Sequence, residues 1–266
     1  KVKTTPRGRR HGKRPRRSSI KSVMDGIVTV EKNDINLSNA NMSSHTPAGQ
    51  MMTFASEITK DYALKYLVGV RNGRAHRDGD IHIHDLDYYP TKTTTCIQYD
   101  LGDIYERGFS TKNGSVRTPQ SIQSYATLAT IVCQTNQNEQ HGGQAIPAFD
   151  FFMAKGVAKS FRKHLSSFIN FYVAMENGIQ ADEKAIRTLI KEYLPSIQSG
   201  ERERETLRIA LIALQINIDK EHLARIIEKA YQQTRKDTHQ AMEGFIHNLN
   251  TMHSRGGKQS ALSSIN

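Results

Sequence analysis

Apolar residues recur at helical spacing in several stretches of this chain. The first begins where Thr46 can cap a helix and Pro47 suits its first turn. Its apolar stripe consists of Met51, Phe54, Ala55, Ile58, Tyr62 and Leu67. The pattern predicts one helix that ends at residues 71–73, where Asn72 and Gly73 interrupt it.

Further helices are predicted at 121–134, 150–175, 181–194 and, from the longest pattern, about 220–249. Asp219 precedes the last of these and can accept a backbone N–H as its cap. The stripe of this helix consists of Leu223, Ile226, Ile227, Ala230, Ala241, Met242, Phe245 and Leu249.

Other stretches carry strand or loop patterns. Residues 80–87 alternate polar and apolar side chains, which predicts a half-buried strand closed by Pro90. Residues 93–99 are rich in β-branched side chains and predict the next strand, and 261–266 begin another. Residues 108–119 predict a loop, and 136–144, with Gly142 and Gly143, predict a loop or a buried polar turn. The loose alternation of helices and strands indicates an α/β protein.

Composition narrows the class of protein. Apolar residues make up 37% and charged residues 24% of the chain, as in ordinary globular proteins. No apolar run is long enough to cross a bilayer. The two cysteines, Cys96 and Cys133, are too few for a disulfide framework or a four-thiolate zinc site. These features predict a protein of the reducing cytoplasm.

The net charge of +11 comes almost entirely from one end of the chain. Residues 1–22 hold ten of the 37 basic residues and no acid, so the rest of the chain nearly balances its 26 acidic residues. A block of like charge with few apolar residues cannot offset its ordering entropy by burial. We therefore predict a disordered tail at 1–22 and a folded body at 23–266. A tail of this kind can bind polyanions by releasing counterions, which leaves a polyanion-binding protein as one alternative.

His82, His84 and Asp85 invite a metal-site interpretation, because a His-x-His pair on a strand projects both imidazoles to one side. A metal-dependent hydrolase is therefore a second alternative. The same pattern also fits a polar strand face whose histidines are hydrogen bonded, and we favour this interpretation because few other ligands converge nearby.

Spacing alone favours a structural place for both cysteines and leaves the other candidates open. A single strand cysteine such as Cys96 is usually a small buried hydrophobic residue, and Cys133 lies on the apolar side of its predicted helix. The amides of 134–144 indicate either a satisfied core network or a site for a polar ligand. The loop at 254–259 combines backbone freedom with positive charge, which suits phosphate binding, although it lacks the spacing of a P-loop.

Several long stretches of sequence, taken in their order along the chain, are more informative about fold and function than any of these single candidates. These are 46–51 leading into the first helix, 80–90, the three threonines before Cys96, 134–144, and the series from 240 to 266. Together they closely resemble the anaerobic, glycyl-radical class of ribonucleoside-triphosphate reductases over residues 23–266. The resemblance implies the N-terminal half of an α/β barrel, truncated, in which two antiparallel half-sheets are ringed by helices.

The family likeness also implies a reaction and its residues. Members replace the 2′-hydroxyl of a ribonucleoside triphosphate with hydrogen, and Cys96 resembles the active-site cysteine of the first barrel strand. His141, Gly142, Gly143 and Asn266 match substrate-binding positions. The resemblance implies no metal site in this chain. It places the radical-carrying cysteine, the glycyl radical and the zinc-binding cysteines beyond Asn266, so this chain alone is expected to be inactive.

Cofactors, partners and regulation follow from the same resemblance. It implies formate as the reductant, an S-adenosylmethionine iron–sulfur activating enzyme, deoxynucleotide effectors and a homodimer, with no membrane association. Helices after the 108–119 loop resemble those that pair two subunits around the effector. Lys163 is the candidate contact to effector phosphate. Arg255, Gly256, Gly257 and Gln259 lie in the loop that resembles the link between effector and substrate base.

Overall fold

The structure is a computed structural model that describes residues 20–29, 47–94, 96–111, 114–137, 139–178, 181–194, 197, 199–251 and 263–265. It divides the chain into two compact units, one within residues 1–93 and the other formed by most of 94–266. None of the helices among the described residues combines the length and the apolar character that a membrane span requires.

The first unit is helical. Helix α1 spans Ile20–Thr29 and packs against α2, Pro47–Tyr62, which continues as a π-helical turn at Ala63–Leu67. Helix α3 spans Val70–Asp78, and a single 3-10 turn covers Tyr89–Thr91. A small core of Ala63, Val68 and Leu86 packs the π-helical turn against the segment that precedes the 3-10 turn. Since α1 begins at Ile20, the last three residues of the predicted tail are helical, and residues 1–19 lie outside the described part.

Two predictions for this unit are wrong. The first predicted helix does not end at 71–73, because a new helix begins at Val70 and contains those residues. Residues 80–87 form no strand either. The left-handed cap Gly79 ends α3, and the backbone N–H of Ile83 donates to Nδ1 of His76 at 3.1 Å. These local bonds take the place of the ladder that a strand would need.

The second unit contains the sheet and the long helices. Its first part runs through β1 (Ile97–Gln98), α4 (Leu101–Arg107), β2 (Phe109–Thr111), β3 (Gly114–Val116), α5 (Ile122–Asn136) and β4 (Gln144–Ile146). Its second part runs through α6 (Phe149–Asn177), α7 (Glu183–Tyr193), α8 (Glu201–Ala213), α9 (Lys220–Thr251) and β5 (Ser263–Ile265). The mixed α/β class is confirmed, with helix predominating.

The strands form two small sheets. Strands β1, β4 and β5 lie in that order and run parallel, while β2 and β3 form an antiparallel hairpin. The hairpin corrects the predicted loop at 108–119. It requires Gly108, which has φ +69° and whose added Cβ would lie 2.1 Å from the carbonyl oxygen of Val116. The barrel of two half-sheets stays a prediction.

Helices α5, α6 and α9 pack side by side and divide the core into two clusters. One cluster surrounds α5 and includes Leu101, Tyr105, Tyr125 and Phe245. The other joins the second half of α6 to α7, α8 and the start of α9. Gly156 lets α6 approach α5 closely, because a Cβ there would lie 2.8 Å from Cγ of Tyr125. Asp219 caps α9 as predicted, accepting the N–H of His222 at 2.7 Å.

Candidate functional site

The three-stranded sheet places Cys96 beside the glycine pair. The N–H of Ile97 donates to the carbonyl of Gly143 at 3.2 Å, and that of Tyr99 donates to the carbonyl of Ala145 at 3.0 Å. Ile97 therefore pairs with Gln144, which in turn pairs with Ser263 of β5. Continuing the register by one residue sets Cys96 beside Gly143.

Alternation gives this sheet two different faces. Ile97, Gln144 and Ser263 share the face that turns toward α5; Ser263 lies against Cys133 there, and Ile97 packs on the core. The opposite face carries Cys96, Gln98, Gly143, Ala145 and Ser264, and its Cys96, Gln98 and Ser264 are exposed. Cys96 therefore stands on the open face, contrary to the usual buried place of a lone strand cysteine.

A groove of about 510 Å³ runs along the sheet. All three strands contribute to it, and its lining consists of Cys96, Ile97, Gln98, Gly143, Gln144, Ala145, Ser263 and Ser264. An exposed thiol in a groove with few charged groups is accessible to a small polar molecule. The geometry supports chemistry by the Cys96 sulfur on a ligand held against the sheet.

The predicted substrate positions divide between the groove and the turn before it. Gly143 lines the groove, and a Cβ added there would meet no atom within 4 Å. Gly142 has φ +113°, a conformation that favours glycine. His141 is buried, and its N–H donates to the carbonyl of Thr94 at 3.2 Å. His141 is not part of the lining of the groove, and Asn266 lies outside the described residues.

The amides of 134–144 belong mostly to a core network. Gln144 is 3% exposed, and its Oε1 accepts bonds from the Tyr99 hydroxyl and, at 3.4 Å, from Nδ2 of Asn136. Gln134 donates from Nε2 to the carbonyl of Asn248 at 3.4 Å. Of the two interpretations that the sequence left open, these side chains favour the structural one, while the glycine turn faces the groove. Tyr99 is a member of this network that sequence reasoning missed.

Cys133 differs from Cys96 in its burial and in its surroundings. Its side chain is fully buried in the core around α5, as predicted. Burial raises the pKa of the Cys133 thiol to about 11, although the neighbouring Ser263 hydroxyl lowers it in part. A thiol with such a pKa is a poor source of thiolate at neutral pH. Cys133 therefore serves packing.

A second, larger cleft of about 990 Å³ lies between the start of α5 and the helices α6 and α7. Lys163, the predicted effector contact, lines it. Six cationic residues line the cleft and no acidic residue does: Arg117, Lys159, Arg162, Lys163, Arg187 and Lys191. So many like charges around one cavity attract an anion.

Only some of these cations already have partners. Lys159 donates to the carbonyl of Pro119 at 2.9 Å and lies over the Tyr125 ring, and Arg187 is paired with Glu183 at 2.6 Å. Burial lowers the pKa of the Arg162 guanidinium. Within the part of the chain that the structure describes, Arg117, Lys163 and Lys191 have no ion pair. These three are available for an anionic ligand.

Asp237 of α9 accepts hydrogen bonds from residues next to one wall of the cleft. Its Oδ2 lies 2.7 Å from Nε2 of His164, and its Oδ1 accepts a bond from Gln233 at 2.9 Å. Burial raises the pKa of Asp237, but hydrogen bonds from His164, Gln123 and Gln233 outweigh it, so the pKa lies below its usual value. Gln123 also lines the cleft. The network therefore joins the cleft to α9.

Replacing Asp237 with asparagine is expected to destabilise the fold by about 1–3 kcal/mol at neutral pH, because His164 and Gln233 lose a charged acceptor. A carboxyl with a depressed folded pKa stabilises above its unfolded pKa, and this contribution is lost as the pH falls through the folded pKa. The difference between the two proteins should therefore shrink below about pH 4. Urea unfolding across that range measures it.

Glu106→Gln is the matched control for this prediction, since Glu106 pairs with Lys155 at the exposed surface. An exposed pair of this kind contributes little to stability. Equal effects of the two substitutions at neutral pH would contradict the role given to Asp237.

The His-x-His segment belongs to the other unit and forms no strand. The rings of His76, His82 and His84 lie in succession, with centroids 5.5 and 6.0 Å apart, and His84 Nδ1 lies 2.6 Å from Asp85. Among the described residues no three His, Cys, Asp or Glu side chains are grouped to hold a metal ion. The glycine loop with Arg255, Gly256, Gly257 and Gln259 lies outside the described residues.

Comparison with known proteins identifies the family. A family model described as anaerobic ribonucleoside-triphosphate reductase matches residues 38–266. Similar relatives bear that name in Escherichia coli (28% identity over 198 residues, 74% of this chain and 27% of the relative) and Haemophilus influenzae (30% over 197 residues, 73% and 27%). Another is from Enterobacteria phage T4, with 27% identity over 224 residues, 82% of this chain and 36% of the relative.

This chain therefore spans about a quarter to a third of the length of these curated relatives. The match favours neither a polyanion-binding protein nor a metal-dependent hydrolase. The strings around Cys96 and the glycine pair lie inside the matched region, as does the basic cleft. The chain belongs to the anaerobic ribonucleoside-triphosphate reductase family.

Proposed function

We propose that this chain supplies part of the catalytic barrel of an anaerobic reductase that converts ribonucleoside triphosphates to deoxyribonucleoside triphosphates. The observation that carries the proposal is the exposed thiol of Cys96 on the open face of the sheet, in a groove shared with Gly143. That face is the one turned away from α5, as the interior face of a barrel ringed by helices would be. The reaction is assigned to the cytoplasm.

Cys96 is the hydrogen donor in this proposal. An S–H bond is weak enough to give up a hydrogen atom, which the O–H bond of a serine is not. The sulfur would deliver that hydrogen atom to the 2′ carbon of the substrate radical after the 2′-hydroxyl has left with a proton as water. The thiyl radical formed on Cys96 would be returned to a thiol at the expense of formate. The radical that starts the reaction is expected on a glycine of the longer protein, installed by an S-adenosylmethionine iron–sulfur enzyme, with formate as reductant and zinc bound elsewhere.

The turn at 141–143 fits the substrate side of the same groove. Gly143 presents no side chain beside Cys96, so a ribose can approach the sulfur closely. Gly142 sets the direction of the turn through its positive φ, and the buried His141 anchors the turn to Thr94. Asn266, immediately after β5, completes the proposed substrate set.

The basic cleft fits the effector. A deoxynucleoside triphosphate carries about four negative charges, and Arg117, Lys163 and Lys191 offer unpaired cations around one cavity. We assign the phosphate contact to Lys163 and assign the faces of α5 and α6 to a homodimer that encloses the effector. By the family likeness, we assign to Arg255, Gly256, Gly257 and Gln259 the coupling of effector binding to the choice of substrate base.

The direct test uses the longer protein that contains this chain, purified without oxygen and activated with S-adenosylmethionine and its iron–sulfur enzyme. We expect formate-dependent conversion of a ribonucleoside triphosphate to the deoxynucleotide, measured by chromatography of the products. A preparation that carries the activated radical but forms no deoxynucleotide from any of the four common ribonucleoside triphosphates would refute the proposal.

A further inference from the structure

Strand β1 is too short to define its own register. It spans only Ile97 and Gln98, and the backbone N–H groups of Ile97 and Tyr99 donate to β4. Because side chains alternate along a strand, a slip by one residue exchanges the two faces of the sheet. Such a slip would turn Cys96 from the groove toward α5. The position of the thiol therefore depends on what prevents the slip.

A pair of buried polar side chains provides that constraint. Tyr99 donates twice to β4, from its N–H to the carbonyl of Ala145 and from its hydroxyl to Oε1 of Gln144. Asn136, at the end of α5, donates to the same Oε1 at 3.4 Å. Tyr99 is 7% and Gln144 3% exposed. The side-chain bond is possible only when Tyr99 and Gln144 lie on the same face, which is the observed register.

Packing alone does not explain a glutamine at this place. Among the described residues, Nε2 of Gln144 is buried with no hydrogen-bond partner. A buried donor without a partner is costly, whereas an apolar side chain of similar volume would pack without that cost. Burial raises the pKa of Tyr99, so its hydroxyl stays a neutral donor to the amide. Buried polar pairs of this kind can specify one arrangement among several of similar stability.

We propose that Gln144 and Tyr99 are positioning residues that fix the register of β1 on β4 and so hold Cys96 on the groove side, beside Gly143. They act through the backbone and need not touch the substrate. The link to turnover rests on the proposed function, whereas the position of the thiol can be measured without it.

The test replaces both partners, with Tyr99→Phe and Gln144→Leu in one protein. Removing both polar groups together should change the midpoint of urea unfolding little, since neither partner of the Tyr99–Gln144 bond is stranded and Asn136, which loses its acceptor, is only half-buried. Alkylation of Cys96 by N-ethylmaleimide, followed by mass spectrometry of its peptide, should change from one fast phase to a fast and a protected fraction. Gln98→Leu, on the open face of the same strand, is the control and should keep a single fast phase.

Tyr99→Phe alone serves if the double variant does not fold, because it keeps the ring and removes only the hydroxyl. The same protected fraction is expected, to a smaller extent. A single fast phase in every folded variant would overturn the proposal.

In the longer, activated protein the double variant should lower kcat by roughly ten- to a hundredfold with little change in KM, since misplacing a reacting group by about 1 Å has effects of this size. A fall in stability with unchanged Cys96 alkylation and unchanged kcat would show that Tyr99 and Gln144 serve packing alone. That result would also overturn the proposal. Turnover retained by a Cys96→Ser protein would refute the proposed function instead, and would leave the alkylation result as the measure of the register.

Discussion

Replacing Cys96 by serine is expected to abolish nucleotide reduction in the longer, activated protein. Serine conserves the size of the side chain and the exposed position directly before β1, but its O–H bond cannot supply a hydrogen atom. We expect turnover to fall by more than about a thousandfold, which corresponds to a loss of about 4 kcal/mol of transition-state stabilisation. Fold and radical formation should be unaffected, as measured by circular dichroism and by the glycyl-type electron paramagnetic resonance signal.

Cys133→Ser is the matched control, because it makes the same change at the other cysteine. That thiol is fully buried and lies behind the sheet, so the variant should lose some stability by burying a hydroxyl in an apolar site. Its turnover at a temperature where it stays folded should be near that of the parent. Near-normal reduction by the Cys96 variant, or equal losses in the two variants, would show that Cys96 is not the hydrogen donor.

Long helices with one buried stripe could be predicted from the sequence. Helix α9 begins beside its predicted cap and buries Leu223, Ile227, Ala230 and Phe245. Helix α8 was missed because its pattern is less regular. It buries Leu207 and Leu211 but exposes Ile209 and Ile212, and all of its first five residues carry charge. The apolar positions of such a segment do not define a single stripe.

Short alternating stretches could not be interpreted reliably. The alternation at 80–87 fits a strand, yet its bonds go to nearby groups: the N–H of Ile83 bonds His76, and Asp85 adopts φ +52°. At 108–119, in contrast, glycines suggested a loop where the chain forms a hairpin. A strand needs a partner, and the partner's position is not encoded in the few residues of the segment itself.

In the candidate sites, too, short stretches of sequence identify single residues, whereas contacts between distant segments determine how these residues are grouped. Cys96 could be found through its family strings, but its exposure and its place beside Gly143 depend on a register between segments more than forty residues apart. The cleft around Lys163 collects Arg117, Arg162 and Lys191 from a loop and two helices. No spacing rule joins residues so far apart, and packing of α5, α6 and α7 brings them together.

Reversing the charge of Lys163 is expected to weaken binding of a deoxynucleoside triphosphate strongly. Lys163 is exposed on the wall of the cleft and has no ion pair among the residues that the structure describes. Loss of one charge-assisted hydrogen bond costs about 1.5–3 kcal/mol. Lys163→Glu should therefore raise the Kd of deoxyadenosine triphosphate by roughly ten- to a hundredfold or more, as measured by calorimetric titration.

Lys155→Glu is the control for this reversal, because it makes the same change in net charge on the same helix. Lys155 pairs with Glu106 and does not line the cleft. Its effect on the Kd should stay within about threefold, as expected for a charge screened by solvent and salt. Inorganic tripolyphosphate, titrated alongside, should compete with the nucleotide in the parent and lose affinity in the Lys163 variant, because the proposed contact is to phosphate. Equal weakening by the two reversals would show that only the net charge matters, and an unchanged Kd in the Lys163 variant would remove Lys163 from the effector site.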